Sequence, residues 1–122
     1  MGFHAVCGFE QVSAGEGKAR VRLVVSENLA NVHGSLHGGA IATLVDHAGT
    51  LAIMSADRQG RPGVTTDLNV SYFVGAPIGV AVVADALVLK IGKTLAFVTV
   101  DVKREADGGL LAQGRMTKFQ GG

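Results

Sequence analysis

Residues 31–54, NVHGSLHGGAIATLVDHAGTLAIM, constrain this chain more than any other stretch. The segment opens as a polar, glycine-rich loop. It continues as a run of small and apolar residues broken once, by Asp46 with His47 beside it. Glycines serve well at a helix start, where backbone amides are left open. From Gly39 the residues are adequate helix formers and no proline intervenes before Pro62, so the pattern predicts a helix from 39 to about 56. Ile41, Leu44, Val45, Ala48, Leu51 and Ala52 recur at helical spacing; the other faces carry Ala40, Ala42, Thr43, Gly49 and Ile53. A helix apolar on nearly all sides is a buried helix. Its shortness and the charge at Asp46 argue against a membrane span.

A carboxylate two turns into a buried helix is costly unless it is bonded or kept for chemistry. Open amides from His37 to Gly39, with the helix dipole behind them, make a place to hold a developing negative oxygen. On one helix these two features lie on the order of 10 Å apart, too far to act on a single carbonyl. A second copy packed antiparallel would bring one copy's amide near the other copy's Asp46, so the spacing points to a dimer with shared sites.

At 122 residues the chain reads as one domain, 1–122, long enough for a single core. A net charge of +1 gives no reason to expect nucleic acid or a membrane surface as a partner. The lone Cys7 excludes an internal disulfide and supplies no metal pair. The first residues lack a basic segment followed by an apolar run, so the expectation is a cytoplasmic protein.

Strands are predicted at about 6–12, at 18–26, 64–73, 79–90, 94–104 and 110–119. Turns fall at 14–17, 91–93 and 106–109, Gly75-Ala76-Pro77 makes a short break between the 64–73 and 79–90 strands, and a polar link spans 57–63. Short turns force antiparallel neighbours. The only large apolar partner for such a sheet is the helix. The expected fold class is therefore α+β, a curved antiparallel sheet wrapped around one long central helix. Open sheet edges and the unusually apolar helix call for a second subunit.

Asn31, Gly34, Leu36-His37-Gly38-Gly39 and Thr43-Leu44-Val45-Asp46 resemble the signature of the hotdog-fold acyl-CoA thioesterases. The similarity is to the branch with the phenylacetate-pathway thioesterases and the animal thioesterase superfamily member 2. It continues in order through Pro62-Gly63-Val64, Asp67-Leu68-Asn69, residues 92–97, Val100-Asp101 and residues 112–115. The resemblance implies hydrolysis of an acyl-CoA thioester by a homo-oligomer, a dimer of dimers with sites shared between subunits. It implies no metal and no covalent cofactor. Carried over, Asp46 is general base or nucleophile and the Gly38 amide polarises the thioester carbonyl. Asn31 and Thr65 position the water or the carboxylate, and His37 shapes the loop. Contacts to coenzyme A fall on Gly39 and Asp67, on Tyr72, Phe73, Val74, Gly75, Ala76 and Pro77, on Lys90, Ile91, Gly92, Lys93, Thr94 and Leu95, and on Phe119.

Thr66 is the alternative to Thr65, because the 57–63 link looks slightly longer than in those relatives. His47 stands where they tend to carry a neutral amide, and it reads as structural. The small residues Ala48, Gly49 and Ala52 suggest room beside the helix for an aryl or fatty acyl chain. The competing readings are a hotdog hydratase or dehydratase, and a non-catalytic acyl-CoA binding module.

Overall fold

Polar and apolar residues alternate along Lys18–Val24, which puts Ala19, Val21 and Leu23 on one buried face. The same period places Val98, Val100 and Val102 inward on Leu95–Arg104. These faces form one side of a six-stranded sheet. The computed structural model describes Phe3 and residues 7–121. Its strands are β1 (Glu10–Gly15), β2 (Lys18–Val24), β3 (Val64–Tyr72), β4 (Ala81–Ile91), β5 (Leu95–Arg104) and β6 (Leu110–Phe119); helix α1 is Gly38–Ala56. The sheet order is β1-β2-β4-β5-β6-β3, and every neighbouring pair is antiparallel.

Three expectations need correction. The first strand runs from Glu10 to Gly15 rather than 6–12; Val6 lies outside the described residues. All six β1 residues are exposed, so no apolar period marked them. The turn shrinks to Glu16-Gly17, both at positive φ (53° and 80°), the geometry of a two-residue hairpin. The second correction concerns connectivity. β3 does not turn back beside β4 but pairs with β6 at the far edge, and residues 73–80 carry the chain back across the sheet. That crossing is pinned at both sides. The Phe73 amide donates to the Leu111 carbonyl at 2.9 Å and the Leu36 amide to the Ala76 carbonyl at 2.8 Å, while Gly79 and Val80 bond to Val25.

The third correction concerns the helix. Gly49 and Ile53 belong to its buried face with Ile41, Leu44, Val45, Ala48 and Ala52, whereas Leu51 is half-buried. The small residues do not leave room for an acyl chain; they let helix and sheet approach closely. A Cβ on Gly49 would lie 2.5 Å from the Met116 sulfur and 3.1 Å from Val98 Cγ1. Across the interface, a Cβ on Gly114 of β6 would lie 2.5 Å from Val45 Cγ1 and 3.2 Å from its Cγ2. The two contacts differ in how far they can yield. Met116 ends in a flexible thioether, but Val45 is β-branched and fixed to the helix backbone. Gly114→Ala is therefore expected to cost about 2–3 kcal/mol, and Gly49→Ala less. Urea midpoints at one fixed protein concentration check the order; equal losses would show that the helix shifts to relieve either clash.

At 19 residues α1 is long and apolar enough, by length and composition alone, to cross a membrane, so shortness does not argue against a span. Its packing does, because its buried face lies against the inner faces of β2, β4, β5 and β6. Beyond its end, Asp57 gathers the polar link. Its carboxylate accepts from the Gln59 and Arg61 amides at 3.0 and 2.9 Å and pairs with the Arg61 guanidinium. Those bonds, Arg61's side chain first, hold the Asp57 carboxyl well below the usual carboxylate range.

Candidate active site

Asp46 is half-buried near the middle of α1, and its Oδ1 accepts a hydrogen bond from Thr65 Oγ1 at 2.7 Å. Thr65 is the second residue of β3 and stands directly opposite Lys118 of β6. A bulge follows at once, between Thr65 and Asp67. Bulges re-aim side chains, and this one separates the two threonines. Thr65 reaches Asp46, while the Thr66 hydroxyl turns to the Thr117 carbonyl at 3.3 Å.

Behind Thr65 lies a residue that the sequence reading passed over. Lys118 Nζ donates to Thr65 Oγ1 at 3.0 Å, and the lysine is only 5 % exposed. Burial lowers the pKa of its ammonium from the ordinary lysine value, and the nearby Asp46 carboxylate opposes that shift. A signal was present: the period-2 face of Ala112, Gly114 and Met116 extends to Lys118, so alternation alone turns this lysine inward. On the open side of Asp46 is a cleft of about 370 Å³ lined by Phe3, Ala42, Thr43, Asp46, Thr65 and Leu68.

The helix start holds one open amide where three were expected. The His37 amide donates to the Leu29 carbonyl at 2.7 Å. The Gly39 amide donates to His37 Nδ1 at 2.8 Å, so His37 caps the helix with its own ring. With Nδ1 accepting, a neutral ring carries its proton on Nε2. Among the described residues the Gly38 amide alone of the three has no acceptor. The Tyr72 hydroxyl donates to the Gly38 carbonyl at 3.1 Å and fixes that peptide from the other side. Asn31 organises the preceding loop: its Oδ1 accepts from the His33 and Ser35 amides at 2.9 and 3.1 Å. No hydrogen bond joins Asn31, His37 or Gly38 to Asp46 among the described residues of this protomer. The His47 ring lies 5.4 Å from that of Phe9, tilted by 34°.

The residues assigned to coenzyme A divide into two groups. Leu95 pairs with Phe119, and Phe119 with Val64, so Lys90, Ile91, Gly92, Lys93, Thr94, Leu95 and Phe119 share one end of the sheet. Tyr72 pairs with Ala112 at the opposite end, beside the helix start, and Phe73, Val74, Gly75, Ala76 and Pro77 continue from it. At 3.3 Å per residue, Val64 and Tyr72 are roughly 25 Å apart. Asp67 pairs with Thr117 on the sheet's outer face, between the two groups. One protomer does not gather these residues around a single reacting carbonyl.

Residues 33–111 match the family model described as the thioesterase superfamily. Acyl-coenzyme A thioesterase 13 of Homo sapiens is 48 % identical over 110 residues, covering 90 % of this chain and 78 % of that protein. The crystal structure of zebra fish thioesterase superfamily member 2 superposes with a TM-score of 0.92 at 48 % identity, covering 98 % of this chain and 87 % of the other. A Streptococcus mutans protein solved bound to acetyl CoA superposes with a TM-score of 0.86 at 27 % identity, covering 93 % and 89 %. The chain thus belongs to the thioesterase superfamily, as one of its hotdog-fold enzymes.

Proposed function

We propose that this protein hydrolyses an aryl- or fatty-acyl-CoA to the free acid and coenzyme A, at sites each built from two protomers. The observation that carries the reading is that each protomer holds one open amide, at Gly38, and one anchored carboxylate, Asp46, which lines a cleft. A thioester is already reactive, so an oxyanion donor and a base are enough. The Gly38 amide takes the carbonyl oxygen. Asp46 removes a proton from water as the water oxygen bonds to the acyl carbon. The tetrahedral intermediate collapses, the carbon–sulfur bond breaks, and the thiolate recovers the proton from Asp46. Direct attack by Asp46 is the alternative route to the same products.

Asp46 lies eight positions beyond Gly38 along α1, so the two serve one carbonyl only if they come from different chains. β3 is one of the two edge strands of the sheet, the one beside the candidate site, and carries Thr65 near one end and Tyr72 at the other. Antiparallel pairing of two β3 edges would bring each helix start toward the partner's Asp46, and would bring the two separated coenzyme A groups together. In that arrangement Asn31 and His37 shape the loop that faces the partner's carboxylate. Two such dimers assembling into a tetramer complete the reading. Thiol release should be measured over acetyl, long-chain fatty acyl, hydroxyphenylacetyl and hydroxybenzoyl-CoA. Turnover of at least one is the expected result; no thiol release from any of them would overturn the proposal.

A further inference from the structure

We propose that Lys118 is a positioning residue of this enzyme: by donating to the Thr65 hydroxyl it directs that hydroxyl's single proton onto Asp46. The inference rests on the reading of Asp46 as the reacting carboxylate. It follows from the donor inventory of three groups in a line. An ammonium donates and does not accept; a carboxylate accepts and does not donate; a hydroxyl has one proton to give. With Lys118 Nζ 3.0 Å from Thr65 Oγ1 and Thr65 Oγ1 2.7 Å from Asp46 Oδ1, only one arrangement satisfies all three. Lys118 donates to Thr65, and Thr65 donates to Asp46. Without the ammonium the hydroxyl is free to rotate, and Thr65 can equally accept from a water in the cleft.

The line has a chemical consequence. It occupies Oδ1, and among the described residues Oδ2 has no hydrogen-bond partner. The carboxylate then presents one defined oxygen to the reacting water. A lysine 5 % exposed needs a reason to be there, since this side chain is almost never fully buried unless paired. Its placement is also specified by the backbone. Thr65 and Lys118 are cross-strand partners in β3 and β6, and the bulge that begins after Thr65 keeps the pair in register while freeing Thr66 to turn away.

The test is a double-mutant cycle on the full chain. Lys118→Met and Thr65→Val are each expected to lower kcat roughly 10- to 100-fold, the cost of leaving one such bond unmade, with KM for the best acyl-CoA within about threefold of native. The double variant should be no slower than the slower single one, because both act through one hydroxyl. Thr65→Ser, which keeps the hydroxyl, should recover much of the valine variant's loss, and Lys118→Arg, which keeps donors and charge, should recover much of the methionine variant's loss. A merely structural lysine would move the unfolding midpoint without this coupling. If Lys118→Met fails to fold, Lys118→Gln takes its place in the cycle, with a smaller loss that again vanishes in the Thr65→Val background. Native kcat in a folded Lys118 variant, or losses that multiply in the double variant, would overturn this proposal alone. A native protein inactive on every acyl-CoA would overturn it together with the thioesterase reading.

Discussion

Asp46→Asn is expected to lower kcat roughly 10²- to 10⁴-fold, the range a positioned general base supplies, with KM for acyl-CoA little changed. Asparagine keeps the shape and can still accept from Thr65, so what is removed is the capacity to take a proton or to attack. The variant leaves the Lys118 ammonium without its neighbouring carboxylate, so the unfolding midpoint should be followed alongside the rate. A folded variant with near-native turnover would remove Asp46 from the chemistry. Single turnover of the native protein in ¹⁸O water tests the second route. Heavy oxygen in the Asp46 side chain would establish attack by Asp46, with water opening the resulting anhydride at the aspartyl carbonyl, whereas general-base catalysis puts it in the released acid alone.

Gly38→Pro should lower kcat roughly 10²- to 10³-fold by deleting the one open amide at the helix start. Gly38 is the first residue of α1, a position where proline is favoured because the missing N–H costs no helical bond. His37 before it has φ −62° and ψ 138°, the extended backbone that a following proline requires. The helix should therefore survive while the oxyanion donor disappears. The same variant tests the shared site. Mixed with Asp46→Asn and allowed to exchange subunits, two nearly inactive proteins should recover about a quarter of native activity. Half the dimers are then mixed, and each mixed dimer holds one intact site and one doubly defective site. No recovery after exchange would place both groups of a site on one chain.

The helix and the strands were legible because their periods differ. Ile41, Leu44, Val45, Ala48 and Ala52 repeat as only a helix can, and β2 and β5 alternate as only half-buried strands can. The crossing at 73–80 was not, since Gly75-Ala76-Pro77 says that a strand ends and says nothing about which edge the next one joins. The glycines of the interface were misread for a related reason. Gly49 looks like empty space until Met116 is placed against it, and that contact spans a long stretch of sequence. At the site, Asp46, Thr65 and Gly38 were visible by type and order. The count of open amides was not, because the bond that occupies the His37 amide goes to Leu29, outside the motif. Lys118 was legible in principle from strand alternation, but a charged residue near a strand's end reads first as solvated.

The strand order has a consequence for how the site comes into being. β3 has no neighbour but β6, and β6 follows every other strand of the sheet along the chain. The Thr65–Lys118 bond joins residues 53 apart in sequence, so its formation carries a large loop-closure cost and comes late. During synthesis α1 can collapse onto β2, β4 and β5 while Thr65 still has no partner strand and Asp46 no anchored hydroxyl. The Asp46 carboxylate is therefore anchored only when the last strand is made, and a nascent or clipped chain lacking β6 holds the helix without that anchored carboxylate.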